Sequence, residues 1–370
     1  MKKRTLLCAL AALACACSSD NQRDGKIIEV FQRHSYELHP AAGLAAELRA
    51  GGPAALKKFD PYAALVGARP EAAAARPAEA PASTGMLLGP CGARVCALRV
   101  LRGSPADKAG VKDFDRLISV NGSGQSPEAI LPALEGARGA IEIRAERMGR
   151  AGEIGFSVEP SAFAYPGVVG LYSPSASAAY VRVPIFYEGA AAVVEKGLAS
   201  LKRYGFRRVV LDLRYSRGGL PQEAAAVFRL FAPAGSRCFS IKSRHKGYSM
   251  EFPGSGGGPY SRLPLSVLVN GETSMASEAL AAALAEAGAR LYGSRTKGSA
   301  TIARTFRLDD KGGLRLGVAR FFAPSGAEIE GTGVLPSREI PEPAGFKTMW
   351  QTPAETLFYR DAAWLAAAKG

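Results

Sequence analysis

Cysteine, histidine and tryptophan are scarce here, with six, three and two in 370 residues, and each scarcity removes a class of function. Cys8, Cys15 and Cys17 crowd the amino terminus, which leaves Cys91, Cys96 and Cys238 for the rest of the chain. No Cys/His cluster has ligand spacing, and His34, His39 and His245 stand apart from any such pattern, so neither a metal nor another cofactor is expected. Also missing is an aromatic-interleaved basic cluster. The formal net charge is +14, but Lys and Arg alternate with apolar residues in stretches such as "RRVVLDLR" and "ARTFRLDDKGGLRL". A solvated basic surface is the expectation, with no nucleic-acid partner.

What remains is ample for a folded core. A hydrophobic content of 47% over this length predicts two or three domains. The chain opens "MKKRTLLCALAALACACSSD", a basic start followed by an apolar run too short to span a bilayer, which has the layout of a secretory signal. It resembles a bacterial lipoprotein signal (1–17), with Cys17 as the lipidated residue and Cys15 as the alternative. That resemblance implies an exported, lipid-anchored protein facing the periplasm of a bacterial envelope. Under oxidising conditions "CGARVC" either closes a disulfide between Cys91 and Cys96 or leaves two buried thiols.

Helical periodicity broken by Pro40 and "GGP" marks an N-terminal helical segment over 18–65, and repeated prolines without apolar periodicity mark a linker over 66–84. Short strands with one helix among them follow over 85–160. Within this stretch "GSPADKAGVKDFDRLISVNG" (103–122) resembles the signature of a bacterial PDZ module, with Phe114 where such modules usually carry glycine. A PDZ module implies capture of peptide C-termini by strand addition, and the carboxylate loop falls on Gly85, Met86, Leu87, Leu88 and Gly89. From 161 to 346 strands alternate with helices, the pattern of a helix-covered sheet, and a C-terminal helical segment closes the chain over 347–370.

One break in that pattern invites chemistry. "NGETSMASE" (270–278) joins an apolar strand to an alanine-rich helix and places hydroxyls at the junction. Thr273 or Ser274 there serves either as a helix cap or as a nucleophile.

The order of motifs resembles the C-terminal processing, or tail-specific, serine proteases. "KFDPYAAL" (58–65), "AYVRVPIF" (179–186), "VVLDLRYSRGGL" (209–220) and "ARFFAPSGAEIEGTGVLP" (319–336) carry the likeness. The resemblance implies a multidomain α/β protein whose core has the ClpP/crotonase-like fold. It also implies a serine-type endopeptidase that cuts polypeptides held by the PDZ module. Its chemistry pairs a serine nucleophile with a neutral lysine base, and no histidine falls in a matching core motif. The usual Ser/Thr-Ala-Ser-Ala-Ser-Glu pattern puts Met275 in the nucleophile's place, leaving Ser274 as the candidate nucleophile and Ser277 as a substitute. With a two-residue deletion the resemblance makes Lys297 the base, with Glu286 to orient it, whereas ungapped alignment puts Ser299 in that place. Backbone amides of Gly218, Gly219 and Met275 form the expected oxyanion site. A member of this fold without a working dyad, acting as a peptide-binding adaptor, is the alternative that Met275 raises.

Overall fold

The computed structural model describes residues 22–67, 82–91, 93–135, 139–162, 169–310, 312–342 and 361–369. The expected signal, with Cys15 and Cys17, and most of the linker lie outside these residues. Two compact units make up the chain: Met1–Ala75 with Ser240–Glu251 and Ala300–Phe322, and Arg76–Phe239 with Phe252–Ser299 and Ala323–Gly370.

In the first unit, helices run over 22–34 and Ala41–Gly51. Pro40 stands in extended conformation at the cap of the second helix, where its missing N–H costs nothing, and Gly52 at φ 62° ends it. Ile27, Phe31, Leu44 and Leu48 are buried, at the spacing of an apolar helical stripe. The helical reading ends short of residue 65, because Ala64–Gly67 is a strand paired antiparallel with Gly312–Phe322. That partner is remote in sequence, so no local pattern announces it. Gly312–Phe322 also pairs with Thr301–Asp309 and with Ser240–Lys242, so segments that read as core belong to this unit.

The second unit begins with an antiparallel sheet of β1 (Met86–Cys91), β2 (Arg94–Val100), β3 (Arg116–Val120), β4 (Ile141–Glu146) and β5 (Glu153–Val158), in that spatial order. Ala82–Ser83 pairs with Ser161–Ala162 and brings the two ends of this module together. Its short helix Pro105–Lys108 starts at Ser104, whose Oγ accepts from the Asp107 amide. Alternation along β1 and β2 sends Met86, Leu88, Val95 and Ala97 into the module's own core. The opposite face, Leu87, Cys96 and Leu98, joins a second cluster with Leu171, Tyr180 and Trp364. Cys91 and Cys96 are paired across this hairpin with Cα atoms 5.8 Å apart, within disulfide range. Cys238 is a buried thiol.

Six strands follow: β6 (Val169–Ser173), β7 (Ala178–Arg182), β8 (Arg208–Asp212), β9 (Leu265–Val269), β10 (Arg290–Gly293) and β11 (Arg338–Glu339). Their order is β11-β10-β9-β8-β7-β6, all neighbours parallel except the antiparallel pair β6 and β7. Helices α1 (Ala190–Leu201), α2 (Pro221–Phe231), α3 (Ala276–Glu286) and α4 (Ala362–Lys369) accompany this sheet. In α1 the buried residues Ala190, Val194, Leu198 and Leu201 form one stripe, whereas the first nine residues of α3 are all buried. A helix buried all round, rich in alanine and carrying only Ser277 and Glu278 as polar residues in that stretch, is a core element. Its amino end is therefore held rigidly beside the sheet.

Candidate active site

Two loops leave the carboxyl ends of the adjacent parallel strands β8 and β9, the edge at which open α/β sheets commonly bind ligands. The first, residues 213–220, is anchored by its neighbours in sequence. Arg214 is 1% exposed and lies between Asp212 (2.5 Å) and Asp361 (2.6 Å), while the Tyr180 hydroxyl donates to Asp212 at 2.8 Å. The Asp-Leu-Arg motif is thus a buried polar brace that fixes where the glycine turn begins.

The second loop, residues 270–275, is stitched to the first. Thr273 Oγ1 donates to Leu213 O at 2.8 Å, the Ser274 amide to Ser216 O at 3.0 Å, and the Tyr215 amide to Asn270 Oδ1 at 3.0 Å. Below them Ser277 Oγ is 2.7 Å from Ser216 Oγ and accepts from the Gly218 amide at 3.1 Å. Ser277 is fully buried with these partners, so it ties the turn to α3 and is not a substitute nucleophile.

Met275 occupies the sharp strand-to-helix junction. Its backbone has φ 59° and ψ −131°, a conformation rarely taken by a residue with a side chain. A Cβ added to Gly218 would lie 2.5 Å from Met275 Cβ, so glycine is required opposite the elbow. Ser274 stands one position earlier and is 7% exposed, and its hydroxyl carries no hydrogen bond among the described residues.

The expected dyad is not joined. Lys297 is half exposed, with its Nζ 3.9 Å from the Glu272 carboxylate, and no hydrogen bond links it to Ser274. Its amide donates to Thr273 O at 3.0 Å, so the backbone adjoins the site while the side chain follows Glu272 into solvent. Glu286 does not orient the lysine. It lies exposed at the far end of α3 and accepts from Ser325 Oγ at 2.7 Å.

Glu278 is the carboxylate that matters locally. Fully buried on the first turn of α3, it accepts from Thr296 Oγ1 at 2.6 Å, the Gly298 amide at 2.6 Å and the Ser299 amide at 3.0 Å. Burial pushes its pKa up, against the opposing pull of those hydrogen bonds. The sequence offered a signal for it: an acidic residue inside an otherwise alanine-rich buried helix needs partners.

The oxyanion assignment also shifts. The Gly218 amide is spent on Ser277, and the Met275 amide donates to Ser299 O at 2.9 Å. The Gly219 and Ala276 amides carry no hydrogen bond among the described residues, and a Cβ on Gly218 would be 3.0 Å from Ala276 N. Gly219 is held by the bridge to Phe186, where Phe186 N donates to Gly218 O and Leu220 N to Phe186 O, each at 2.7 Å. Two amide donors thus remain available next to the elbow.

In the amino-terminal module, β1 is an edge strand of its sheet. Gly85 has φ 75°, and a Cβ there would meet Ser104 Cβ at 2.2 Å. Met86 and Leu88 point into the module core and Leu87 into the second cluster, so their side chains do not line a peptide groove. Only backbone groups of 85–89 are left for that purpose.

Comparison with known proteins defines the class. Residues 177–340 match Peptidase family S41. A carboxyl-terminal-processing protease of Synechocystis is 29% identical over 251 residues, covering 66% of this chain and 58% of that protein. The carboxy-terminal processing protease CtpA of Bacillus subtilis is 29% identical over 249 residues, covering 65% of this chain and 53% of that protein. Among solved structures, a photosystem II D1 C-terminal processing protease superposes with a TM-score of 0.53 at 23% identity, covering 87% of this chain and 93% of that one, a likeness of fold. Residues 177–340 are thus similar to the core of peptidase family S41, and the relatives that the chain resembles are C-terminal processing serine proteases. The matches to the first curated relatives span between 50% and 61% of those relatives' own length.

Proposed function

We propose that this protein is a peptide-binding member of the C-terminal processing peptidase type that has lost its catalytic dyad. The observation that carries the reading is Met275 at the elbow, with its Cβ against the glycine turn and the two free amides of Gly219 and Ala276 beside it. A thioether can neither lose a proton nor attack as an alkoxide, and Lys297 is half exposed, 3.9 Å from the Glu272 carboxylate and without a hydrogen bond to Ser274. The scaffold for receiving an extended chain is retained. In this reading residues 82–162 act as a PDZ module, whose edge strand β1 takes up a polypeptide C-terminus, and the chain is exported and lipid-anchored through Cys17 to a bacterial envelope membrane.

The test uses an unstructured protein substrate and two versions of one peptide, with a free or an amidated carboxyl end. No cleavage is expected from the purified protein, together with tighter binding of the free carboxylate. A second reading, in which Ser274 is the nucleophile, draws on its unbonded hydroxyl. Cleavage that disappears in Ser274→Ala and in Lys297→Ala would establish that reading and defeat the first, since a dyad loses most of its rate with either partner.

A further inference from the structure

The first unit carries a cluster that its sequence disperses over three segments. Arg33 and His34 close the helix over 22–34, Arg244, His245 and Lys246 follow the strand Ser240–Lys242, and Arg304 stands on Thr301–Asp309. The rings interlock: His34 stacks on Phe306 at 4.0 Å and faces His245 at 5.7 Å, and Tyr248 Oη lies 3.0 Å from His34 Nδ1. The Arg304 guanidinium sits 4.8 Å above the Tyr248 ring, and Arg244 donates to Ser35 O at 3.2 Å and to Gln32 O. Arg33, Arg244, His245, Lys246 and Arg304 are all exposed.

Elsewhere in the same unit Arg23, Lys58, Arg307 and Arg320 each pair with a carboxylate. None of the cations around His34 does so among the described residues. The same unit exposes Leu38 at 69%, beside Glu37, and Met250 at 41%, beside Glu251 and two residues after Tyr248. Cations set among aromatic rings, with isolated apolar side chains alongside, suit the headgroup layer of a bilayer. A nucleic-acid phosphate backbone offers the exposed leucine and methionine no apolar partner, whereas the headgroup layer does.

We infer that this face docks on an anionic membrane surface, its basic groups meeting lipid phosphates while Leu38 and Met250 enter between headgroups. The inference does not depend on the state of the Met275 site. It also supplies its own probe. His34 titrates below its ordinary value through burial, then through the charges of Arg33, His245 and Arg244; Tyr248, Lys246 and Arg304 complete its surroundings. An anionic surface opposes those charges. Docking therefore moves the His34 titration upward.

The experiment measures binding of the full chain to vesicles of phosphatidylcholine alone and of phosphatidylcholine mixed with phosphatidylglycerol, taking the ratio so that any lipid anchor cancels. Each basic residue near an anionic surface contributes about fivefold, so Arg33→Gln, Lys246→Gln and Arg304→Gln together should cut the anionic preference on the order of a hundredfold. A second triple variant, Arg49→Gln, Lys57→Gln and Arg315→Gln, removes equal charge from other exposed positions of this unit and should keep most of that preference. Circular dichroism checks both folds. Equal losses in the two triple variants, or no anionic preference in the native chain, would overturn the inference. So would tighter binding to a short DNA duplex than to anionic vesicles with the same loss in the first variant, which would reassign the face to nucleic acid.

Discussion

Met275 holds a backbone conformation that its side chain disfavours. Residues kept at such positive φ cost about 1–3 kcal/mol and persist only where surrounding contacts over-determine them. Here the contacts are the Met275 amide on Ser299 O and the stitched loops on either side. The surrounding contacts therefore hold a strained elbow with a thioether side chain at its apex. Substitutions at 275 should therefore rank by backbone tolerance and not by hydrophobicity. Met275→Val, β-branched and stiff, should be less stable than Met275→Gly by about 1–3 kcal/mol in urea denaturation, although glycine buries no side chain. Equal midpoints for the two variants would show that the elbow is unstrained.

At the level of elements, the site is a meeting of two strand-to-helix loops and one incoming segment, and Glu278 holds the segment. It joins the first turn of α3 to residues 296–299 through three hydrogen bonds. Because burial raises its folded pKa above the ordinary 4.5, the folded protein binds this proton more tightly than the unfolded chain. That contribution to stability is fully present below about pH 4.5 and is lost as pH rises through the raised value. Glu278→Gln cannot ionise, so the fall in stability across that window should vanish. The variant should also be weaker by about 1–3 kcal/mol throughout, because an amide nitrogen cannot accept from one of the three donors. Parallel denaturation curves for native protein and variant at every pH would refute the assignment. This carboxylate was legible as a departure within an apolar helix, and so were the strand and helix periods of the core, the glycine turn and the elbow itself. What the sequence withheld were directions. Lys297 and Glu286 sit near their expected chain positions, but the side chain of one leaves with Glu272 and the other lies at the wrong end of α3. The patch around His34 was invisible because its residues come from three distant segments.

For the molecule as a whole, Phe114 links local strain to assembly within the second unit. It has φ 69° in a turn where glycine is the usual choice, and its amide donates to Ala97 O. Its ring packs edge-on against Tyr204 at 5.0 Å and Tyr172 at 6.3 Å, while those two tyrosines stack on each other at 5.2 Å. Tyr172 belongs to β6 and Tyr204 follows α1, so the turn of the amino-terminal module is seated on the sheet-and-helix core. The module has its own buried cluster and paired ends, which equips it to fold when excised as residues 82–162. The two settings then pull Phe114→Gly in opposite directions. In the excised module the ring has lost both tyrosines, so relief of the backbone strain prevails and the variant should be more stable by up to about 1 kcal/mol. In the full chain the two aromatic contacts, each worth about 0.5–1.5 kcal/mol beyond their buried area, are removed, and the variant should be less stable. Amide exchange along β6 should then quicken while exchange within β4 and β5 holds. A change of the same sign in both settings would mean that Phe114 serves only its own turn.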